Sequence, residues 1–155
     1  MPLRFNHMEL TVPIGMIDKE KENLIAFYGD IFGCTSIEVP MVDLDVPNKF
    51  LISTDTEFSQ FFFLAEDPKP LTLQSYDHIG FLVDTWNEVD ETLEKVKEWQ
   101  KKDPRVELMH VGDDFEAGPV VTHFYYFRYL LPIWIDVQFL QWKEGMKPAK
   151  QWSYG

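Results

Sequence analysis

The stretch Asp77–Asp84 reads DHIGFLVD, and a similar stretch near the start of the chain, Asn6–Val12, reads NHMELTV. In each stretch a histidine is followed by Leu or Phe three residues on and by Val five residues on. Because residues two apart in a strand share a face, each stretch predicts a strand whose histidine, His7 or His78, points away from an apolar face. This repeat predicts two halves of similar structure that share a site.

The first half continues in the order strand, helix and three strands. A helix is predicted from Asp18, which can cap its start, to Gly33, which suits the left-handed position after the last turn. The predicted helix has an apolar stripe at helical spacing, made of Leu24, Ile25, Tyr28, Ile31 and Phe32. The predicted strands are Pro2–Val12, Cys34–Val39, Lys49–Ser53 and Ser59–Ala65, with a loop at Pro40–Asn48.

The second half repeats this order. Thr85 followed by Glu88 three residues later is a capping-box pattern, and Pro104 ends the helix that it starts. The predicted strands are Asp77–Val83, Val106–Val111, Val120–Phe127 and Ile133–Leu140, with a turn at Gly112–Pro119. The chain is therefore predicted to form one compact unit of two modules, residues 1–70 and 71–145, followed by a polar tail at 146–155.

The composition limits the function classes. The chain has 155 residues, of which 45% are apolar and 15% are aromatic, which is typical of a globular protein with a packed core or an aromatic pocket. A net charge of −12 argues against binding to nucleic acid or anionic membrane surfaces, because phosphates would not be neutralised. A single cysteine, Cys34, allows no internal disulfide and indicates a reducing compartment. Without an apolar run that spans a bilayer, a cytoplasmic protein is expected.

The element order, the repeated histidine strands and the helix end FYGDIFG (Phe27–Gly33) resemble the vicinal oxygen chelate superfamily, which includes glyoxalase I, fosfomycin-resistance proteins and extradiol dioxygenases. The resemblance covers roughly residues 4–142. It implies an α+β fold of two βαβββ modules, whose curved mixed sheets surround a central cavity. It also implies metal ligands on the first and last strands of the modules.

The family's ligand positions fall on four residues of this sequence. The first-strand ligands fall on His7 and His78, and the last-strand ligand falls on Asp136 within Ile135-Asp136-Val137. The last strand of the first module offers Gln60. Two imidazoles, a carboxylate and an amide oxygen suit a divalent metal such as Fe, Zn, Ni or Mn.

Alternation along the strands predicts which side chains face this cavity. Gln60, Phe62 and Leu64 share one face and are predicted to face the cavity, whereas Phe61 and Phe63 are predicted to face the helices. By the same rule, the second module presents Asp136, Gln138 and Leu140 to the cavity and Ile135, Val137 and Phe139 to the helices.

Three further residues are candidates for acid–base catalysis. Glu9 shares the face of His7, and Tyr126 and His123 lie on a predicted strand of the second module. Alternation places Tyr126 and His123 on opposite faces unless a bulge intervenes, so only one of them is expected in the cavity. His110, at a strand end beside two aspartates, is interpreted as a surface residue.

Two functions are compatible with these features. The first is a metal-dependent enzyme of the glyoxalase or dioxygenase type that chelates adjacent oxygens of a small aromatic or apolar substrate. The second is a metal-free protein of the same fold that sequesters a small molecule. A homodimer is expected because the superfamily commonly pairs modules and exposed sheet edges need cover. Whether such a dimer pairs modules side by side or by swapping is left open.

Overall fold

The computed structural model describes residues 5–38, 49–55 and 59–149, and it contains the repeated order of elements. The first module consists of β1 His7–Val12, α1 Met16–Phe32, β2 Thr35–Glu38, β3 Lys49–Ser53 and β4 Phe61–Glu66. The second module consists of β5 His78–Leu82, α2 Trp86–Lys102, β6 Glu107–Met109, β7 Phe115–Ala117, β8 Val120–Arg128 and β9 Trp134–Trp142. The predicted loop 40–48 and the end of the predicted tail, from residue 150, lie outside the described residues.

Each module forms one open, curved mixed sheet. The first sheet has the order β1-β4-β3-β2, and the second has the order β5-β9-β8-β6 with β7 paired to β8. In both sheets the first strand runs parallel to the last strand of its module, and the other pairs are antiparallel. The predicted α+β fold class is therefore confirmed. The short strand β7 had been predicted as part of a turn, because three residues are too few to show alternation.

The two modules share one hydrophobic core, which lies on the helix-bearing faces of both sheets. Phe27 of α1 lies 5.6 Å from Phe127 of β8 between ring centroids, and Phe62 of β4 lies 5.8 Å from Phe81 of β5. The hydroxyl of Tyr28 donates to the carbonyl of Tyr129 at 2.9 Å. Because the helix-bearing faces meet in this core, the opposite faces of the sheets, called the open faces below, point away from it.

Arg105 adds a polar connection between the modules. Its Nη1 lies 2.8 Å from Oε1 of the buried Glu20 on α1, and its Nη2 lies 2.7 Å from Oδ2 of Asp103. The hydrogen bond from Arg105 holds the pKa of the Glu20 carboxyl below its usual range. A buried carboxylate in this position is stabilised because the guanidinium pairs with it directly.

Helix α1 begins differently from the prediction. Gly15, with φ of 80°, occupies the N-cap, and Asp18 lies in the first turn instead of capping it. The carboxylate of the buried Glu66, at the end of β4, accepts a hydrogen bond from the backbone N–H of Ile17 at 2.9 Å. The carboxylate of Glu66, and not the predicted side chain of Asp18, therefore accepts a hydrogen bond from a backbone N–H at the start of α1.

The other helix signals follow the predictions more closely. Gly33 ends α1 with φ of 67°, and Thr85 and Glu88 form the capping box of α2. Cys34 is half-buried, and burial raises the pKa of its thiol to about 11, which leaves little thiolate for reaction. Among the described residues, neither helix has the length and apolar character required to span a bilayer.

Candidate functional site

The open face of the second sheet brings His78 and Asp136 together. Strands β5 and β9 run in parallel, and Gly80, two residues after His78, pairs with Asp136. Asp136 is only 5% exposed, and its Oδ1 is buried without a hydrogen-bond partner among the described residues. Burial raises the pKa of the Asp136 carboxyl to about 6, and the charge of His78 acts in the opposite direction. An orphaned carboxylate oxygen beside an imidazole is suited to bind a cation.

Gly80 provides the space for this carboxylate. A Cβ atom added to Gly80 would lie 2.9 Å from Nε2 of Gln138 and 3.7 Å from Oδ2 of Asp136. A side chain at this position would force the Gln138 amide to shift and would come into contact with the Asp136 carboxylate. The glycine in the repeated histidine stretch therefore has a packing role, because it lets Asp136 and Gln138 lie over bare backbone.

The tautomer of His78 is fixed by its local hydrogen bond. Nδ1 of His78 lies 2.7 Å from the carbonyl oxygen of Tyr76. A carbonyl only accepts, so Nδ1 carries the proton and Nε2 presents a lone pair. Metal-binding histidines are typically oriented in this way, with the other ring nitrogen donating to a carbonyl or carboxylate.

His7 in the first sheet has the same arrangement. Its Nδ1 lies 2.8 Å from Oδ1 of Asn6, whose Nδ2 donates to the carbonyl of Ser59 at 3.1 Å. Because the Asn6 amide nitrogen is used by Ser59, its oxygen faces His7 and Nδ1 of His7 donates. Both repeat histidines thus keep Nε2 available, a feature that their sequence positions alone did not reveal.

Several aromatic side chains, called the aromatic wall below, lie beside His78. Tyr126 pairs with Asp136 across β8 and β9, and its ring lies edge-on to that of His78 with centroids 5.0 Å apart. Burial and, second, the charge of Asp136 raise the pKa of the Tyr126 hydroxyl, which keeps it protonated. The ring of His110 lies 5.5 Å from that of Tyr126 and 5.9 Å from that of Tyr76. The side chain of His110 is 35% exposed, so it lies at the surface as interpreted, although its ring also contacts these aromatic side chains.

His123 lies on the opposite face of β8, as alternation required once Tyr126 is in the site. It stacks on Trp86 at 4.0 Å between centroids. Its Nδ1 lies 2.6 Å from Oδ1 of Asp114, and its Nε2 lies 3.0 Å from Oδ1 of Asp90. The prediction of His123 as a catalytic candidate is therefore not supported, because both ring nitrogens are engaged on the helix side of the sheet.

The predicted alignment of β4 was wrong. His7 pairs with Phe61 and Glu9 pairs with Phe63, so these two phenylalanines share the open face with His7 and Glu9. Phe62 and Leu64 are buried in the core instead.

Gln60, the predicted fourth ligand, precedes β4. Its carbonyl accepts a hydrogen bond from the backbone N–H of Thr54 at 2.9 Å. Three consecutive phenylalanines show no alternation, so the phase of this strand could not be determined from sequence.

The register shows how the two modules differ at equivalent positions. In the second module, Gly80 pairs with Asp136. The equivalent pair in the first module is Glu9 with Phe63. The first module therefore carries its carboxylate on the first strand, two residues after His7, and has an aromatic ring where the second module has its buried acid.

The structure does not gather the predicted ligands within one chain. Across the described ranges, no group of three His, Cys, Asp or Glu side chains is arranged to hold a metal ion. His78 and Asp136 lie together on one open face, whereas His7 is exposed on the other and stacks on Phe61 at 5.1 Å. The predicted ligands His7, His78 and Asp136 of one chain therefore lie on two separate surfaces.

The fold has clear relatives among solved structures. FosX, a genomically encoded fosfomycin resistance protein from Listeria monocytogenes, matches with a TM-score of 0.61 at 18% identity over 90% of this chain and 92% of that chain. A putative glyoxalase family protein from Bacillus anthracis matches with a TM-score of 0.61 at 17% identity, covering 91% and 98% of the two chains.

An integron cassette protein from the mobile metagenome of V. cholerae matches with a TM-score of 0.56 at 14% identity, covering 90% and 96%. No family model matches the sequence, and no curated protein sequence matches it either. These matches support the predicted α+β fold of two modules with curved mixed sheets.

Proposed function

We propose that this chain, which has the fold of the vicinal oxygen chelate superfamily, is a divalent-metal-dependent enzyme. Its substrate would be a small aromatic or apolar molecule with two adjacent oxygens. The observation that carries the proposal is the pairing of a buried, unpartnered Asp136 oxygen with a histidine whose Nε2 is free.

The available donors fit such a metal. His78, Asp136 and His7 would hold it through two neutral imidazoles and one carboxylate, a set that suits Mn²⁺, Fe²⁺, Zn²⁺ or Ni²⁺ and leaves positions open. Structures of FosX contain Mn(II), one with sulfate and another with 1S,2S-dihydroxypropylphosphonic acid. These neighbours support divalent-metal binding in proteins of this fold, without identifying the metal here. Gln60 is not part of the proposed set.

A homodimer would complete the ligand set. Within one chain the helix-bearing faces meet, so the open face with His7 and the open face with His78 are both turned outward. A second copy can place its first sheet over the second sheet of this chain, so that His7 of the partner subunit joins His78 and Asp136. The repeat makes this contact self-complementary under two-fold symmetry, and no extension of the linker between modules is needed.

Residues of the chain itself would orient the substrate, exclude water and transfer a proton. A bound divalent metal would supply an electrophile that stabilises negative charge on the substrate oxygens. The rings of Tyr126, Tyr76 and Phe124 would orient an aromatic substrate and exclude water from it. Glu9 lies on the same face as His7 and enters the site with it, so its carboxylate would move a proton of the substrate.

Replacing Glu9 by Gln tests this proton transfer. We expect the metal content to remain at the wild-type level, because Glu9 is outside the proposed ligand set, and turnover to fall by about 10²–10⁴-fold. Elemental analysis and steady-state kinetics on the metal-loaded protein measure the two effects. Glu22→Gln on the exposed surface of α1 is the control. Unchanged turnover in Glu9→Gln would exclude Glu9 as the proton-transfer group.

The proposed function itself is tested by calorimetry of vicinal diols, catechols and hydroxy-ketone adducts. Titrations use chelator-treated protein with and without added Mn²⁺, Fe²⁺, Zn²⁺ and Ni²⁺. Ligand binding that requires a metal would support the proposal of a metal-dependent enzyme. The aromatic wall favours a second candidate, a metal-free binding protein, because stacking rings bind apolar ligands without a metal. Equal binding with and without metal, and no turnover, would establish that candidate instead.

A further inference from the structure

An apolar cavity lies where the two modules meet, on the helix-bearing side of both sheets. Its volume is about 110 Å³. Ile52 of β3 and Ile135 of β9 form aliphatic parts of its wall. Four aromatic side chains from α1, β4 and β5 form most of the remainder: Tyr28, Phe32, Phe62 and Phe81. Because both modules contribute side chains, the cavity is formed by their packing and by neither module alone.

The wall of this cavity is almost entirely apolar, and its two hydroxyl groups already donate to the protein. The hydroxyl of Tyr28 donates to the carbonyl of Tyr129 at 2.9 Å, and the hydroxyl of Thr54 donates to the carbonyl of Gln60 at 3.2 Å. The thiol of Cys34, which also lines the cavity, is only a weak hydrogen-bonding group. Because a buried water molecule typically makes about three hydrogen bonds, this cavity favours an apolar occupant over water.

The volume and the aromatic wall indicate the size and shape of such an occupant. An engineered protein cavity of about 150 Å³ with walls of Leu, Ile and Phe binds benzene. The cavity here is somewhat smaller, which limits its occupant to a single ring. The rings of Phe62 and Phe81 lie edge to face with centroids 5.8 Å apart, so they present both a ring face and a ring edge. A flat aromatic ring makes favourable contacts with both.

We propose that this cavity is a second binding site, specific for a neutral molecule with one aromatic ring and no hydrogen-bonding group. The site is separate from the candidate metal ligands. Phe81 and Ile135 directly follow Gly80 and precede Asp136, respectively, but they contribute to the core and not to the open face. The inference does not rest on the proposed function, because binding in this cavity needs no metal.

Cys34 provides a reporter at one end of the cavity. Thr35 pairs with Ser53 across β2 and β3, so Cys34 and Thr54 are neighbours at the end of this strand pair. Both residues are half-buried, as is Phe32 at the end of α1, so this end of the cavity lies near the surface. Cys34 is the only cysteine of the chain, and its rate of reaction with a thiol reagent therefore reports on this end alone.

The test measures the reaction of Cys34 with dithiodipyridine, a neutral thiol reagent, in chelator-treated protein with and without benzene. With benzene at ten times its dissociation constant, the reaction of wild type should slow by about 10-fold, because only the unliganded protein reacts readily. Phenol has nearly the same shape as benzene but brings a hydroxyl that finds no partner in the wall. It should therefore bind roughly 10-fold more weakly than benzene.

Two matched variants locate the binding site. Ile52→Phe places a larger side chain in the cavity, and it should abolish the protection by benzene. Ile25→Phe makes the same change at a residue of α1 that is 41% exposed and lies outside the cavity, and it should keep the protection. If Ile52→Phe does not fold, Cys34→Met narrows the cavity from its half-buried end. Benzene should then raise the urea midpoint of wild type and leave that of Cys34→Met unchanged.

The outcomes separate the existence of the site from its ligand class. No protection of wild type by benzene would overturn the site, and so would protection that persists in Ile52→Phe or stabilisation that persists in Cys34→Met. Phenol that protects Cys34 as well as benzene does would overturn the assigned class of ligand. All of these measurements are made without metal, so their failure leaves the proposed metal-dependent function standing.

Discussion

Replacing Asp136 by Asn is expected to make the metal-free protein more stable at pH 7 and, at the same time, to weaken its binding of divalent metal. The Asp136 carboxyl is buried, and its pKa is raised from the ordinary value of 3.8 to about 6. At neutral pH the folded protein must therefore bear an ionised carboxylate in a site that disfavours it. Asparagine removes that cost because it is neutral and has nearly the same shape.

The pH dependence of this effect has a definite sign. Below pH 3.8 the carboxyl is protonated in both the folded and the unfolded state, so it has no net effect on stability. As pH rises from there to about 6, the unfolded state loses the proton first and the folded state becomes relatively less stable. We expect Asp136→Asn to gain about 1–3 kcal/mol at pH 7 and nothing at the acidic end.

Urea unfolding in the presence of a chelator, repeated at several pH values, measures the stability change. Calorimetry with Mn²⁺ measures the affinity, which should fall by roughly 100-fold or more because the only anionic ligand is lost. Glu91→Gln, an exposed carboxylate of α2, should change neither quantity. A less stable variant at pH 7 that binds metal as well as wild type would show that Asp136 is a structural acid and not a ligand.

Replacing His78 by Ala is expected to remove bound metal while the fold survives. The side chain is exposed on the open face, and its hydrogen bond to the Tyr76 carbonyl is local, so its loss affects little of the shared core. His7→Ala should have the same effect on metal content, although His7 lies in the other sheet. Elemental analysis measures metal content, and circular dichroism with thermal unfolding checks that each variant is folded. Metal content equal to that of wild type in either variant would exclude that histidine as a ligand.

The second module shows how much the sequence can predict. Alternation predicted that Asp136 lies on the opposite face of its strand from Ile135 and Val137. In the structure the acid is on the open face and the two apolar residues are in the core. The repeat of the histidine stretch predicted both first strands, and the fold class was implied by the family resemblance. These predictions succeeded because polar and apolar residues alternate clearly along these strands.

The first module contains a strand, β4, whose core-facing residues could not be predicted from the sequence. The run Phe61–Phe63 is apolar at every position, so only the parallel pairing with β1 sets its phase, and pairing between distant strands is not encoded locally. The contact between the rings of His110 and Tyr126 was not predicted, because the orientation of His110 depends on a positive φ after β6 and on the register between β6 and β8. The sequence also did not predict that the helix-bearing faces of the two modules pack against each other.

The central claim, a metal held by His78 and Asp136 of one chain and His7 of the partner subunit, is tested most directly by combining inactive chains. His7→Ala and His78→Ala chains carrying different tags are expressed together, and the heterodimer is isolated through both tags. It should contain about half the wild-type metal, because one of its two sites then has all three ligands.

A heterodimer of His78→Ala with Asp136→Asn is the matched control. Both changes affect the same half of the site, so neither of its two sites is complete and it should contain no metal. Light scattering establishes that the purified species are dimers. A metal content in the His7→Ala/His78→Ala heterodimer of about half that of wild type would match the shared site. A metal-free heterodimer, or a protein that remains monomeric at all concentrations, would contradict it.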